Sequence, residues 1–301
     1  FALLCRCKKL LPIDLQIDLF DETVIPILSY GCEVWGYHRT DLAWKLQLRF
    51  YKLALKLRKS TPTCMVLGEI GRFPVDVDII CRVLCYWYKL VCSQNSNKLP
   101  SVIYKFTYKM YEQNDLQSDY LDFIKRTLAD LCLNGIWLNQ FNLTFTIHWF
   151  KEKVKRCLRD QYIQRWFTEI NTKEMFTVYR MYKSEFICEE YIKTLPTAQL
   201  ISMVKFRTLN NNLPVQRERY RDIPRSDRLC TKCNVGDIGD EFHYLLVCEH
   251  FSNSRKVILP SYYWRRPNAV KLKELLCTRK KGTVVKLFSF IKEVTKELDR
   301  A

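Results

Sequence analysis

The segment DLAWKLQLRFYKLALKLRK, residues 41–59, sets the fold class. Its apolar residues Leu46, Phe50, Leu53 and Leu57 recur at steps of 4, 3 and 4, which describes one face of an α-helix. Asp41 stands where an N-cap belongs, so a helix is predicted from Asp41 to Lys59. Next to the apolar face, Lys45, Arg49, Lys52, Lys56 and Lys59 form a basic stripe at the same period. Such a stripe either tracks a phosphate backbone or is a solvated face whose lysine stems shield the core edge.

The helical period continues outward in both directions. Gly68, Gly71 and Pro74 mark a turn region, after which a helix is predicted from Val75 to Cys92. Ile80, Leu84, Trp87 and Val91 form its buried side. Cys81, Cys85 and Cys92 lie on the same helix without a completing His or acid, and read as free thiols. Ser93–Pro100 is a polar linker. Ser118 caps a helix holding Leu121, Ile124, Leu128 and Leu131, with Asn134-Gly135 as its stop. Further helices are predicted over Phe145–Ile170, Pro196–Leu209 and Val284–Leu298. The fold class is therefore mostly α.

Composition narrows the class of partner. The chain of 301 residues carries 49 Lys and Arg against 32 Asp and Glu, a formal net charge of +17. That excess points to a polyanion, most often nucleic acid. It is concentrated: residues 251–301 hold 13 basic and 4 acidic side chains. Only 8 glycines are present, too few for a Gly-rich cofactor fold. No apolar run reaches the length of a membrane span, so no membrane partner is expected. The 14 cysteines do not suggest a secreted disulfide scaffold, because a core this large needs no staples.

The sharpest local signal is Cys230-x2-Cys233-x9-His243-x4-Cys248. Two cysteines two residues apart chelate one ion, and His243 with Cys248 closes a tetrahedral Cys3His set suited to structural Zn²⁺. Gly236 and Gly239 lie where the chain must double back. His250 is a competing imidazole. An arginine arm of Arg217, Arg219, Arg221, Arg225 and Arg228 leads into this knuckle and would present cations to phosphates. Asp237, Asp240 and Glu241 are expected on its other side.

A catalytic centre is not found. The sequence has no Asp-Asp pair, no Gly-rich phosphate loop, no Gly-x-Ser-x-Gly elbow and no His-Glu-x-x-His. Four protein ligands on one zinc leave no open position for chemistry. No catalytic residue is assigned.

Several linked motifs carry a resemblance. Tyr30-Gly31-Cys32-Glu33-Val34-Trp35-Gly36 resembles a Leu-Tyr-Gly-x-Glu-x-Trp-Gly stretch. Lys59-Ser60-Thr61-Pro62 and Gly68-Glu69-Ile70-Gly71-Arg72-Phe73-Pro74 follow. Then come Asp160 to Trp166, Lys205-Phe206-Arg207, Leu213-Pro214, Arg219-Tyr220, Ile223-Pro224-Arg225 and Arg228-Leu229-Cys230. In this order they resemble the non-LTR (LINE-type, jockey-like) retrotransposon reverse transcriptases, from the thumb through the C-terminal zinc-binding region.

The resemblance implies a helical thumb-like module over 1–95, a helical connector over 100–215, a zinc-binding knuckle over 216–256 and a basic helical tail over 257–301. It implies template RNA and target DNA as partners, in a ribonucleoprotein of the nucleus and cytoplasm. The parent activity would be RNA-directed DNA polymerisation, with Mg²⁺ held only by a palm whose Asp-Asp motif has no counterpart here. This chain alone is expected to be inactive. Two departures stand out: the nine-residue gap between Cys233 and His243 is longer than in a retroviral knuckle, and Gln216 replaces an expected acid. The competing readings are a decayed remnant and a host-recruited, zinc-containing protein-interaction module.

Overall fold

The computed structural model describes residues 11–92 and 97–299, so the first half of the expected Ser93–Pro100 linker lies outside the described residues. Among the described residues the regular elements are helical, and the extended pairings are two isolated bridges, Ile70–Cys188 and Leu229–Ile238. The mostly-α expectation therefore holds. The longer helices are α1 (Ile13–Leu28), α2 (Asp41–Ala54), α3 (Thr63–Ile70), α4 (Val75–Val91), α5 (Leu99–Glu112), α6 (Asp119–Asp130), α7 (Ile147–Thr172), α8 (Thr197–Arg207), α9 (Ala269–Leu276) and α10 (Lys281–Asp299).

The chain divides into two compact units. One comprises Asp21–Gln47 and Phe73–Arg165 and is organised around α4. Trp87 and Tyr88 are fully buried there. The Trp87 indole stacks on Trp137 and donates to the Tyr104 hydroxyl at 2.7 Å, while Tyr88 stacks on Phe150 with centroids 4.2 Å apart. Burying an indole requires such a partner for its N–H. Within this unit Glu33 receives two nitrogens of Arg82, at 2.9 and 2.7 Å. Gly36 admits Ile79, whose methyl would lie 2.5 Å from an added Cβ.

The other unit takes Leu48–Arg72, Trp166 onward and the first stretch up to Phe20. Its core includes the stacked Phe20–Phe50 pair, α8 and the apolar side of α10, where Leu287, Phe290, Ile291 and Val294 are buried. Helix α10 packs on α8 and on the short helix Ser252–Ile258.

Four local expectations are corrected. Helix α2 stops at Ala54, not Lys59. Lys56 adopts a left-handed φ of 51°, Lys56 N–H bonds the Leu53 carbonyl at 3.2 Å, and Leu57 N–H bonds that of Lys52 at 2.8 Å. This is a Schellman ending with lysine in the usual glycine place. The buried side is also rotated: Ala43, Gln47, Phe50, Tyr51 and Ala54 are inside, and Leu53 is exposed. The reason is Gln47, whose amide accepts from Val75 N–H at 2.8 Å and donates to the Phe73 carbonyl at 3.2 Å. A side chain satisfied on both ends can be buried although its polarity reads as surface.

Gly68 is not in a turn but inside α3. An added Cβ would meet the Tyr179 hydroxyl at 2.8 Å and Trp166 Nε1 at 3.0 Å, so glycine is needed for close packing. Gly71, at φ +62°, ends that helix in the left-handed region. Asn134-Gly135 likewise does not stop α6. Ser118 caps that helix, its hydroxyl accepting from Leu121 N–H, but the chain turns at Cys132 (φ 57°), and Asn134-Gly135 opens a new short helix.

Candidate metal centre and basic surface

The knuckle is built from backbone pairing first. Cys230 N–H bonds the Asp237 carbonyl at 2.8 Å and Gly239 N–H bonds that of Arg228 at 2.9 Å, so the segment folds back as a minimal hairpin. Gly236 takes φ +80° in its loop. Gly239 allows Pro214 to approach, with 2.9 Å from an added Cβ to the ring. The chain then enters a short π-helix, His243–Val247, whose first residue donates from N–H to Asp240 Oδ1 at 3.0 Å.

These turns bring the four predicted ligands together. One ligand atom each from Cys230, Cys233, His243 and Cys248 falls within 4.8 Å of all the others, a group that can hold a metal ion. Cys230 Sγ and Cys248 Sγ are 3.8 Å apart, and Cys233 Sγ is 3.3 Å from His243 Nε2. Thiolates about 2.3 Å from one tetrahedral ion would be separated by about 3.8 Å. Lys232 N–H points at Cys230 Sγ from 3.4 Å. The Cys230 thiol is pulled far below its ordinary value, chiefly by the Cys248 sulfur, while Cys248 is pushed up, first by Cys230 and then by burial. His250 is exposed and stands outside the group.

The nearby acids do not form a separate face. Asp237 Oδ2 lies 3.3 Å from His243 Nδ1, the position of an outer carboxylate that orients a ligating imidazole. Asp240 holds His243 through one oxygen and Arg225 through the other, at 2.7 Å. Glu241 is buried, which pushes its carboxyl up to about 7. Arg255 is a structural residue that sequence reading missed. It donates to the Leu245 and Cys248 carbonyls, both at 2.8 Å, and to Tyr244 at 3.3 Å, closing the C-terminal end of the π-helix. A cation at a helix C-terminus was the available signal, but it was submerged in a basic sequence.

The predicted basic residues separate into distinct roles. Lys45 pairs with Asp41 at 3.0 Å, and Arg49 is exposed. Lys52 donates to the Lys59 carbonyl at 2.7 Å, and Lys56 and Lys59 have left the helix. The single helical stripe is therefore broken after Lys52. In the arm, Arg217 lies 3.8 Å from Glu218 and Arg221 is exposed. Arg225 and Arg228 are partly structural, since Arg228 donates to the Ile223 and Val215 carbonyls at 2.7 and 3.2 Å. Comparison with protein-family profiles, curated proteins and solved structures returned no match.

Two basic clusters that are far apart in sequence do meet. Arg58 N–H and the Thr61 hydroxyl both donate to Asn210 Oδ1, at 2.9 and 3.0 Å, and Arg58 Nη2 reaches Asn212 Oδ1 at 3.1 Å. The same loop touches the arginine arm at Tyr220. That hydroxyl is drawn below its ordinary value first by a hydrogen bond with Ser60, then by Arg219 and Arg58. Asn210 and Asn212 are the clamp that docks this loop. Among the described residues no helix is long and apolar enough to cross a membrane.

Proposed function

We propose that this chain is a nucleic-acid-binding segment corresponding to the thumb and C-terminal zinc-binding region of a LINE-type retrotransposon reverse transcriptase. It would hold element RNA and target DNA by their backbones and carry a structural Zn²⁺ in the Cys3His group, acting in a ribonucleoprotein of the nucleus and cytoplasm. The observation that carries this reading is the meeting of the Arg58–Ser60 loop with the Arg219–Tyr220 arm. Cations from distant stretches that meet, as Arg58 and Arg219 do at Tyr220, with Arg58 held by amide clamps, suit a phosphate backbone.

The donor set supports zinc: three sulfurs and one imidazole at tetrahedral spacing, with a carboxylate behind the imidazole. With all four positions filled by protein, the ion would fold the knuckle and not act on substrate. The chain's own residues would therefore position nucleic acid for chemistry performed elsewhere. The parent polymerase activity and its Mg²⁺ belong to this proposal and not to any residue assigned here.

Filter-binding titration of the zinc-loaded chain against a structured RNA and an RNA–DNA hybrid tests the reading. Binding should weaken steeply with salt, by about 0.9 in log–log slope for each phosphate neutralised. Replacing Arg217, Arg219 and Arg221 together with Gln should lower both affinity and slope. Absent or salt-insensitive binding would overturn it.

A further inference from the structure

Beside the knuckle, Gln216, Arg219, Arg225 and Arg228 line a pocket of about 140 Å³, and Glu174 forms part of its wall. Three arginines thus line one small cavity, where their like charges repel each other. Asp240 pairs with Arg225, and the acid in the lining, Glu174, is exposed, which leaves positive charge in excess. The positions are fixed from behind: Arg225 by Asp240 at 2.7 Å, Arg228 by the Ile223 and Val215 carbonyls. A guanidinium carries five N–H donors, and these bonds use only part of that capacity.

One further donor points to an anion. Arg219 Nη1 is buried and has no hydrogen-bond partner among the described residues, although its Nη2 donates to the Tyr220 hydroxyl at 3.1 Å. Gln216 is only 4% exposed; its Nε2 donates to Glu241 Oε1 at 3.5 Å, and its Oε1 is an acceptor without a partner. A buried donor on a permanent cation is costly to leave unmatched. The pocket then offers guanidinium donors beside a space that admits one small oxyanion.

We propose that this pocket binds a single phosphate group. The source of that phosphate rests on the proposed nucleic-acid reading: a backbone phosphate if that reading holds, a free phosphate if it does not. The pocket also gives Gln216 a role, because an acid at that position would repel the anion.

The experiment uses the full zinc-loaded chain and two probes, inorganic phosphate followed by calorimetry and an RNA oligomer followed across a salt series. Arg219→Gln should weaken phosphate binding by about tenfold or more. Lys193→Gln, which removes an exposed charge outside the pocket, should leave it unchanged. With RNA, Arg219→Gln should lower the salt slope by about one. Zinc content and thermal unfolding of each variant establish that it is folded. Loss of phosphate binding with an unchanged RNA slope, or with no RNA binding by the wild type, supports the pocket and assigns it to free phosphate, against the nucleic-acid reading. A lowered RNA slope without measurable inorganic phosphate binding supports a backbone phosphate there. No effect of Arg219→Gln on either probe overturns the proposal.

Discussion

Glu69 and Arg207 face each other in a two-pronged ion pair with no exposed side-chain surface on either partner. Arg207 Nε donates to Glu69 Oε2 at 2.8 Å and Nη2 to Oε1 at 3.1 Å, while Nη1 reaches the Leu276 carbonyl at 3.0 Å. Glu189, paired with Lys183, and the rings of Tyr182 and Tyr191 complete the enclosure. Glu69 and Arg207 come from two of the motifs that carry the reverse-transcriptase resemblance, so those motifs are joined physically as well as by order.

Arg207→Met should cost about 3–5 kcal/mol, because it leaves buried carboxylates uncompensated. Adding Glu69→Leu should recover a good part of the loss, which thermal unfolding of both variants would measure. The sign with pH follows from Glu69, whose carboxyl is held below its usual value by Arg207 and Lys183 despite burial. Its contribution is fully present above the ordinary carboxylate range and is lost as pH falls through the lower folded value. The advantage of wild type over Arg207→Met should therefore shrink in acid.

Cys233→Ser should abolish stoichiometric zinc, measured by metal analysis after dialysis. Asp237→Asn should keep the stoichiometry but weaken zinc by about 10- to 100-fold in a chelator competition, since it alters the partner of His243 Nδ1. Retention of one zinc per chain by Cys233→Ser would mean that the ligand set is wrong.

Much of this was legible in the sequence, for identifiable reasons. The ligand group could be read because a chelate needs short spacings that chance seldom supplies. Helices α4 and α10 could be read because their apolar period is strong. The inside of α2 could not, because Gln47 is buried through bonds to Phe73 and Val75 that no local pattern encodes. The end of α2 was hidden by Lys56, which occupies a left-handed position without the glycine that normally announces one. The convergence of Arg58–Ser60 with Tyr220 depends on tertiary contacts, and so does the Arg219 pocket.

Burial pushes the Asp76 carboxyl up to about 6, with Asp41 adding to the rise and a hydrogen bond from Thr40 opposing it. A folded-state value above the unfolded one means that the folded chain holds the proton more tightly. Stability from this group is then fullest below about pH 4 and falls as pH rises towards about 6. Asp76→Asn should raise stability near neutrality by about 1–2 kcal/mol, a figure reduced for partial solvent exposure, and give no gain below about pH 4. Unfolding curves at the two pH values check both halves.

Gly68→Ala and Gly31→Ala separate two uses of glycine. At Gly68 the added methyl meets Tyr179 and Trp166, so a loss of about 1–3 kcal/mol is expected from overpacking. At Gly31 the space is open, but φ is +64°, so the loss is about 1 kcal/mol and comes from the backbone alone. Replacement of Gly31 by Asn, which tolerates that conformation, should recover part of it, whereas Gly68→Asn should be worse than Ala.

The division of the chain also has a consequence for the order of folding. The unit built on α4 is complete once the chain has been synthesised to Arg165. The other unit cannot close then: Glu69 must wait for Arg207, 138 residues later, and α10 arrives last of all. During synthesis, Met65, Val66 and Leu67 of α3 are thus made long before most of the core that covers them. Early-made apolar surface with a late partner is exposed to misassociation. A chain arrested before Arg207 should therefore depend on chaperones far more than the finished protein does.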